Sequence, residues 1–300
     1  MQKSLCGSIA LSGVGLHTGI ESTITLKPAK ENAGLYFTRI DLDSKPTIRA
    51  DVENVIETNR GTVLQENEVK VHTVEHILSA LFGMGIDNTE IEISGPEPPI
   101  LDGSALPFVN AINKAGITIQ SIKKNNYQVN KNIRYKKNDI EINILPYNHF
   151  KITFFMDYGL PDFGMQYSSI ENVEYDFETN IAPARTFGLL SEVKYLKENG
   201  LINGGSLDNA VVFVDKEIDD HEKRSLSKIF EKNSDLNFKK GSILNTGGLR
   251  FNNEPVRHKV LDLIGDMSLL GRHILGHVIA TKSGHNANIE IVKKLKELVK

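Results

Sequence analysis

Three hundred residues, 40% hydrophobic and 24% charged with a formal net charge of −3, describe an ordinary globular chain long enough for two modest domains or one large one. That charge gives no reason to expect nucleic acid as a partner, and no apolar run approaches the ~20 residues needed to span a bilayer. Cys6 is the only cysteine, so no intrachain disulfide can form, and MQKSLCGSIALSGVGLHTG is too short in apolar residues for a signal peptide, so the expected location is cytoplasmic.

Along the chain, GSIALSGVGLHTG opens as strand and turn, punctuated by Gly13, Gly15 and Gly19. Its GVG is no phosphate loop, because no GxxxxGK[ST] follows and no strand-then-helix context surrounds it. His17, among these glycines, reads as a structural or substrate-proximal residue. ESTITLKPA, GLYFTRI and RGTVLQ alternate or are β-rich and predict strands. A helix follows over residues 72–84, with Val74, Ile77, Leu78 and Leu81 at helical spacing. NTEIEISG predicts a strand with Ile91 and Ile93 on one face, and LDGS leads into a short helix, Ala105 to Lys114.

KKNNYQVNKN is a linker or hairpin region, and a second domain begins near Ile119. Strands are expected at IEINILPY, KITFFMDY and MQYSSIE, then ARTFG, a helix in LLSEVKYLKENG and the strand AVVFVD. DDHEKRSLSKIFEKNSDLNF reads as a charged surface elaboration. A long helix over 254–270, a strand over 277–282 and a last helix, Asn288 to Val299, close the chain. Helix, strand, Asp102-Gly103-Ser104 and helix in the first half correspond in order to helix, strand, Ser283-Gly284-His285 and helix in the second, a weak internal repeat.

Two stretches carry candidate chemistry. In VHTVEH, Glu75 adjoins His76, a plausible base beside a metal ligand, although most such pairs are solvated helix surface. His72 and His76 stand four residues apart and would share a helix face, yet HTVEH is not the zincin HExxH, so one of the two can be a decoy. In EPVRHKVLDLIGD, His258, Asp262 and Asp266 follow at successive i+4 steps, a geometry for two ligands and a supporting carboxylate, or simply a polar stripe. A catalytic zinc site takes three protein ligands and keeps one open position, which favours one histidine from the first helix joining His258 and Asp262.

VHTVEHILSALFGMGIDN, PVRHKVLDLIGD and TKSGHNAN, with GVGLHTG near the start and ARTFG in the middle, resemble the UDP-3-O-acyl-N-acetylglucosamine deacetylase family of lipid A biosynthesis. The resemblance runs from about residue 4 to about residue 297 with the motifs in the family's order. It implies an α+β fold of two similar domains, 1–118 and 119–300. Each is a β-sheet with paired helices, the helices are sandwiched between the two sheets, and the active site lies at the domain junction. It further implies Zn²⁺ on His76, His258 and Asp262, Glu75 as general base, His285 as general acid, and Asp266 holding that imidazole charged. Thr186 becomes the oxyanion hydroxyl, Phe187 lies against sugar or acyl chain, and Lys259 faces the diphosphate or developing charge. His72 receives no ligand role. The insert after ARTFG is expected to form an acyl-chain groove, with Leu189, Leu190, Val193 and Leu196 on its apolar face.

The family often carries an Asp-Phe-x-His-Pro-like run where this chain has Asp157-Tyr158-Gly159-Leu160-Pro161, so local substrate contacts differ there. The end soon after the last helix predicts no fused dehydratase domain, and a monomer is expected. Two other readings compete: a metal hydrolase of another N-acyl amino sugar, and a non-catalytic nucleotide-sugar or acyl-binding protein. Glu75, His285 and Thr186 together argue against the second, since binding alone needs no base, acid and oxyanion donor.

Overall fold

The structure is a computed structural model and describes residues 1–159, 164–230 and 236–299. Two sheets share one strand path. In the first, the spatial order is Ile9–Val14, Glu21–Pro28, Thr89–Ile93, Leu35–Arg39 and Thr47–Arg49. In the second it is Ile133–Lys137, Ile140–Pro146, Ile274–Thr281, Phe150–Asp157 and Met165–Ile170. Each five-strand path has one parallel pair at the same place, Leu35–Arg39 on Thr89–Ile93 and Phe150–Asp157 on Ile274–Thr281. The neighbouring pairs are antiparallel. In both, the strand that comes last in sequence is inserted at the centre. The internal repeat is therefore a duplication of topology, and the fold is α+β.

Seven helices stand among the described residues: α1 (Glu75–Gly83), α2 (Leu106–Ala115), α3 (Val173–Asn180), α4 (Leu190–Glu198), α5 (Asp220–Ile229), α6 (Glu254–Ser268) and α7 (His285–Val299). α1 packs on α2 and α6, and α6 on α7 and the second sheet. Both central strands alternate buried and half-buried residues, as sheets with one covered face do. The covered faces enclose one continuous core that runs through Leu26, Phe37, Ile77, Leu81, Leu261, Ile264 and Val278. Burying each large side chain of that core contributes about 1.5–3 kcal/mol.

α1 is buried along its whole length, Glu75 and His76 included. The amphipathic pattern thus marks no solvent face; its polar side is turned toward another helix. The contact is close because α6 has a glycine there: a Cβ on Gly265 would lie 2.2 Å from the Glu75 carbonyl oxygen.

Boundaries differ from expectation where they matter. α1 starts at Glu75, so His72 lies outside it and shares no helix face with His76; its N–H is bound to the Pro96 carbonyl, 2.8 Å away. α7 starts at His285 itself, three residues earlier than expected. The strand expected in RGTVLQ is confined to Val63–Glu66, which frees Arg60–Thr62 as a loop. Tyr127–Gln128, in the expected linker, adds a short parallel strand to Ile274–Thr281.

The insert after ARTFG folds as a strand (Phe187–Leu189), α4 and a parallel strand (Val211–Phe213). It has its own small core around Leu190, Val193, Val212 and Leu226. Within the charged segment, α5 sinks Leu226 into that core. The family-variant run at Asp157–Pro161 falls partly outside the described residues, at Leu160 and Pro161.

In a helix interior alanine is worth ~1 kcal/mol over glycine, whereas overpacking a core contact costs about 1–3 kcal/mol. Gly265→Ala is expected to lower the unfolding free energy in a denaturant titration despite its better helix propensity. Unchanged or higher stability would show that α1 and α6 can part at no cost.

Candidate metal centre and catalytic cleft

α1 and α6 meet with their polar faces inward, and three side chains converge. Ligand atoms of His76, His258 and Asp262 all lie within 4.8 Å of one another. Asp262 Oδ1 is 3.3 Å from His258 Nε2 and 4.0 Å from His76 Nε2, and the two imidazoles meet edge-on with centroids 4.9 Å apart. His258 Nδ1–H donates to the Ala184 carbonyl at 3.0 Å, which leaves the Nε2 lone pair aimed into the cluster. His76 Nδ1 is buried with no hydrogen-bond partner, so no protein group sets its tautomer; a cation on Nε2 would.

Protonation states agree with a cation site. Burial above all, then the neighbouring His258, pushes His76 down to about 3, so the ring is neutral. Burial also opposes a charge on Asp262, yet Lys259 and His258 outweigh it and hold the carboxyl well below its usual range. Neutral imidazole and ionised carboxylate are the forms a divalent metal needs. Together these three residues form a set that could hold a divalent metal ion.

Glu75 and His285 stand beside the triad. Glu75 is buried, its Oε2 accepts from Thr62 N–H at 3.0 Å, and its Oε1 lies 3.8 Å from His285 Nε2. Burial, helped by Asp266 and Asp262 and opposed by His285, raises Glu75 to about 7. For His285 the balance reverses: burial disfavours the cation, but Asp266 and Glu75 win and raise it to about 9. His285 Nδ1–H donates to Asp266 Oδ2 at 2.9 Å, and Asp266 is fixed by Thr62 Oγ1 at 2.6 Å and Asn288 Nδ2 at 2.9 Å.

The triad, Glu75 and His285 line one wall of a cavity of about 290 Å³. Thr186 and Phe187 line the same cavity. Thr186 is held by its backbone, its N–H donating to the Gly103 carbonyl at 2.7 Å. The preceding Arg185 is locked by its backbone N–H and guanidinium to Glu254 at the start of α6. Lys259 reaches into the cavity with Nζ 2.8 Å from Asp262 Oδ2 and 5.8 Å from the Phe187 ring centroid. Attraction to Asp262 more than offsets burial and raises its pKa.

A second, more apolar cavity of about 120 Å³ shares the Leu16, Arg60, Thr186, Phe187 and Gly188 walls. Val193 and Leu196 line it. Leu190 lines neither cavity and packs in the insert's core, because the strand ending at Leu189 turns it inward.

The sequence pattern did not point to Thr62, Asn288 or the Gly103 carbonyl, which touch the site through backbone or short polar side chains with no spacing signature. His17, read as structural or substrate-proximal, lines the apolar cavity and donates its Nδ1–H to the Leu201 carbonyl.

The profile of the LpxC family, described as UDP-3-O-acyl N-acetylglycosamine deacetylase, matches residues 2–230 and 214–297. The chain belongs to that family. It is 44% identical over 299 residues to the bifunctional enzyme LpxC/FabZ of Chlorobaculum tepidum, covering 99% of this chain and 64% of that protein. It is 40% identical to the UDP-3-O-acyl-N-acetylglucosamine deacetylase of Citrifermentans bemidjiense, over 98% of this chain and 88% of the relative. The enzyme of the same name from Teredinibacter turnerae is 41% identical, over 98% and 89%.

His76→Ala and Asp262→Ala should each lose most bound divalent metal by elemental analysis. His72→Ala should bind as much as the unsubstituted protein. Full metal content in either of the first two would dismantle the triad.

Proposed function

We propose that the protein is a zinc-dependent hydrolase that removes acetate from UDP-3-O-acyl-N-acetylglucosamine, a step of lipid A biosynthesis. The observation that carries this reading is the convergence, around one cavity, of two imidazoles and a carboxylate with Glu75 and a cationic His285. When bound by His76, His258 and Asp262, zinc would supply Lewis acidity, making water more acidic and the amide carbonyl more electrophilic.

The chain's own groups supply the rest. Glu75, at 3.8 Å from His285 and anchored by Thr62 N–H, takes a proton from the attacking water. The Thr186 hydroxyl donates to the oxygen that becomes negative as the carbonyl carbon turns tetrahedral. His285, oriented by Asp266 and carrying a proton on Nε2, gives it to the leaving nitrogen as the C–N bond breaks. Water and amide become acetate and amine; of the two protons the water brings, one restores the His285 cation and the other leaves to solvent, which returns Glu75 to its carboxylate. Lys259 places positive charge beside the substrate and the Phe187 ring packs against it.

The apolar cavity beyond Phe187 accommodates the 3-O-acyl chain, with Val193 and Leu196 in its wall. The two units of the fold, divided here at 118/119, each contribute one helix to the centre. No helix among the described residues is long and apolar enough to cross a membrane. A cytoplasmic monomer acting on a soluble nucleotide-sugar accords with that reading.

Three experiments test this. Purified protein should release acetate from UDP-3-O-acyl-N-acetylglucosamine, lose that activity to a chelator and regain it with Zn²⁺; stoichiometric zinc without turnover would favour a binding protein. Glu75→Ala should lose about 10²–10⁴ in kcat while keeping its metal. Activity needs Glu75 ionised and His285 protonated. It should therefore fall as pH drops through the Glu75 pKa, about 7 without metal and lower beside a cation, and fall again as pH rises through about 9. A basic limb that persists in His285→Ala would take the acid role from that residue. For the acyl site, Val193→Ala should reduce kcat/KM for long acyl chains more than for short ones, whereas Leu190→Ala should chiefly lower stability. Equal loss on both chain lengths would move Val193 out of the groove.

A further inference from the structure

Glu97 lines neither cavity, and nothing in the reaction above uses it. Its carboxylate is nevertheless fully buried, set between Pro96 and Pro98, and every hydrogen bond it accepts comes from a neutral group. Oε1 accepts from Thr73 Oγ1 at 2.6 Å and from His17 N–H at 3.0 Å. Oε2 accepts from Thr18 N–H at 2.8 Å and Thr18 Oγ1 at 2.7 Å. The approach needs a glycine, since a Cβ on Gly15 would lie 2.4 Å from Oε2. These bonds outweigh burial and keep the carboxyl ionised, its pKa below the usual value.

What the carboxylate holds explains why so costly a group is retained. Thr73 has φ +51°, a left-handed conformation strongly disfavoured for a β-branched residue, and strain of that kind persists only where surroundings enforce it. Thr73 is followed by Val74, Glu75 and His76, so its backbone sets the direction in which α1 leaves the loop. Its side chain hydroxyl is tied to Glu97 by a short charge-assisted bond. The same carboxylate fixes the turn that carries Leu16 and His17, walls of the two cavities.

We propose that Glu97 is a positioning residue for the hydrolysis: its carboxylate holds Thr73 left-handed at the entrance to α1 and thereby fixes the direction of Glu75. The proposal rests on the assignment of Glu75 as base. An amide cannot replace the carboxylate, because each oxygen accepts from one backbone N–H and glutamine, with one acceptor oxygen, must set its NH₂ against the His17 or the Thr18 N–H. Glycine at 73 would adopt the same φ without an anchor.

The test compares the unsubstituted protein with Glu97→Gln, Thr73→Val and the double variant Glu97→Gln/Thr73→Gly, assayed well below their melting temperatures with metal content measured and crystal structures determined. Glu97→Gln and Thr73→Val should each lose about tenfold to hundredfold in kcat, as small misplacements of a reacting group do, with metal retained and KM within about threefold. The double variant should recover most of the kcat lost in Glu97→Gln. In the Glu97→Gln crystal, Thr73 should leave the left-handed region and the Glu75–Thr62 hydrogen bond should break. Full kcat in Glu97→Gln with only a lower melting temperature would make Glu97 a mere stabiliser and overturn the inference. So would a loss that Thr73→Gly fails to relieve. Should Glu97→Gln not fold, full kcat in Thr73→Val decides against it alone. If the unsubstituted protein releases no acetate, the functional reading fails separately, and the conformation of Thr73 in Glu97→Gln still judges this proposal.

Discussion

The backbone contact between α1 and α6 is the constraint on which the centre depends. A glycine at 265 lets one helix rest on the carbonyl of Glu75 in the other. That fixes His76 and Glu75, from the first turn of α1, against His258 and Asp262, about two turns and one turn before Gly265. Imidazole and carboxylate side chains are short, so the ligand atoms can gather within 4.8 Å only if the helix backbones nearly touch. Both helices are buried between sheets, and neither can drift without opening the core around Ile77, Leu261 and Ile264. The metal geometry is in this sense a packing result.

That same burial creates an electrostatic problem, which the site turns to use. Glu75, Asp262 and Asp266 face Lys259 and His285 with almost no water between them. Each charge alone would be expelled or neutralised. Paired, they move apart in proton affinity: Asp262 falls well below the usual range, Glu75 rises to about 7 and His285 to about 9. Two groups with separated affinities, one exchanging its proton near neutral pH and one keeping it, are what a paired base and acid need. Thr62 stitches the pair together, bonding Glu75 through its backbone and Asp266 through its hydroxyl.

The chemistry-bearing residues were legible because ligands on helices leave a period in the sequence: His258, Asp262 and Asp266 recur at i+4, and Glu75-His76 sits on a strong apolar repeat. Most strand positions followed from alternation, and the α+β class from the family resemblance. What escaped was set by long-range backbone geometry. His72 looked like a partner for His76 until the helix was seen to begin three residues later, after a left-handed Thr73 that nothing in HTVEH announces. The loop freed by shortening RGTVLQ, which delivers Thr62, was hidden by the β-propensity of Thr-Val-Leu. Leu190 and Val193 share a helix face and both pack in the insert's core, so spacing alone could not say that only Val193 also lines the cavity. The order of strands in each sheet leaves no local trace; it needed both halves in space.

The duplication explains why catalysis sits at the junction and why its parts are unequal. Corresponding helices supply the three side chains that could hold a metal, His76 from one copy and His258 with Asp262 from the other. The turns that follow the two central strands have diverged in use. In the second copy, the turn ending at His285 starts α7 and brings an imidazole to Asp266. In the first, Asp102-Gly103-Ser104 starts no catalytic group; its Gly103 carbonyl anchors Thr186 and its Asp102 and Ser104 side chains take Arg250 from the other unit. One turn thus carries an imidazole into the cavity, while its counterpart fixes Thr186, carried by the opposite copy. Neither unit holds all these parts alone, because Glu75 and His76 come from α1 whereas His258, Asp262 and His285 come from α6 and α7.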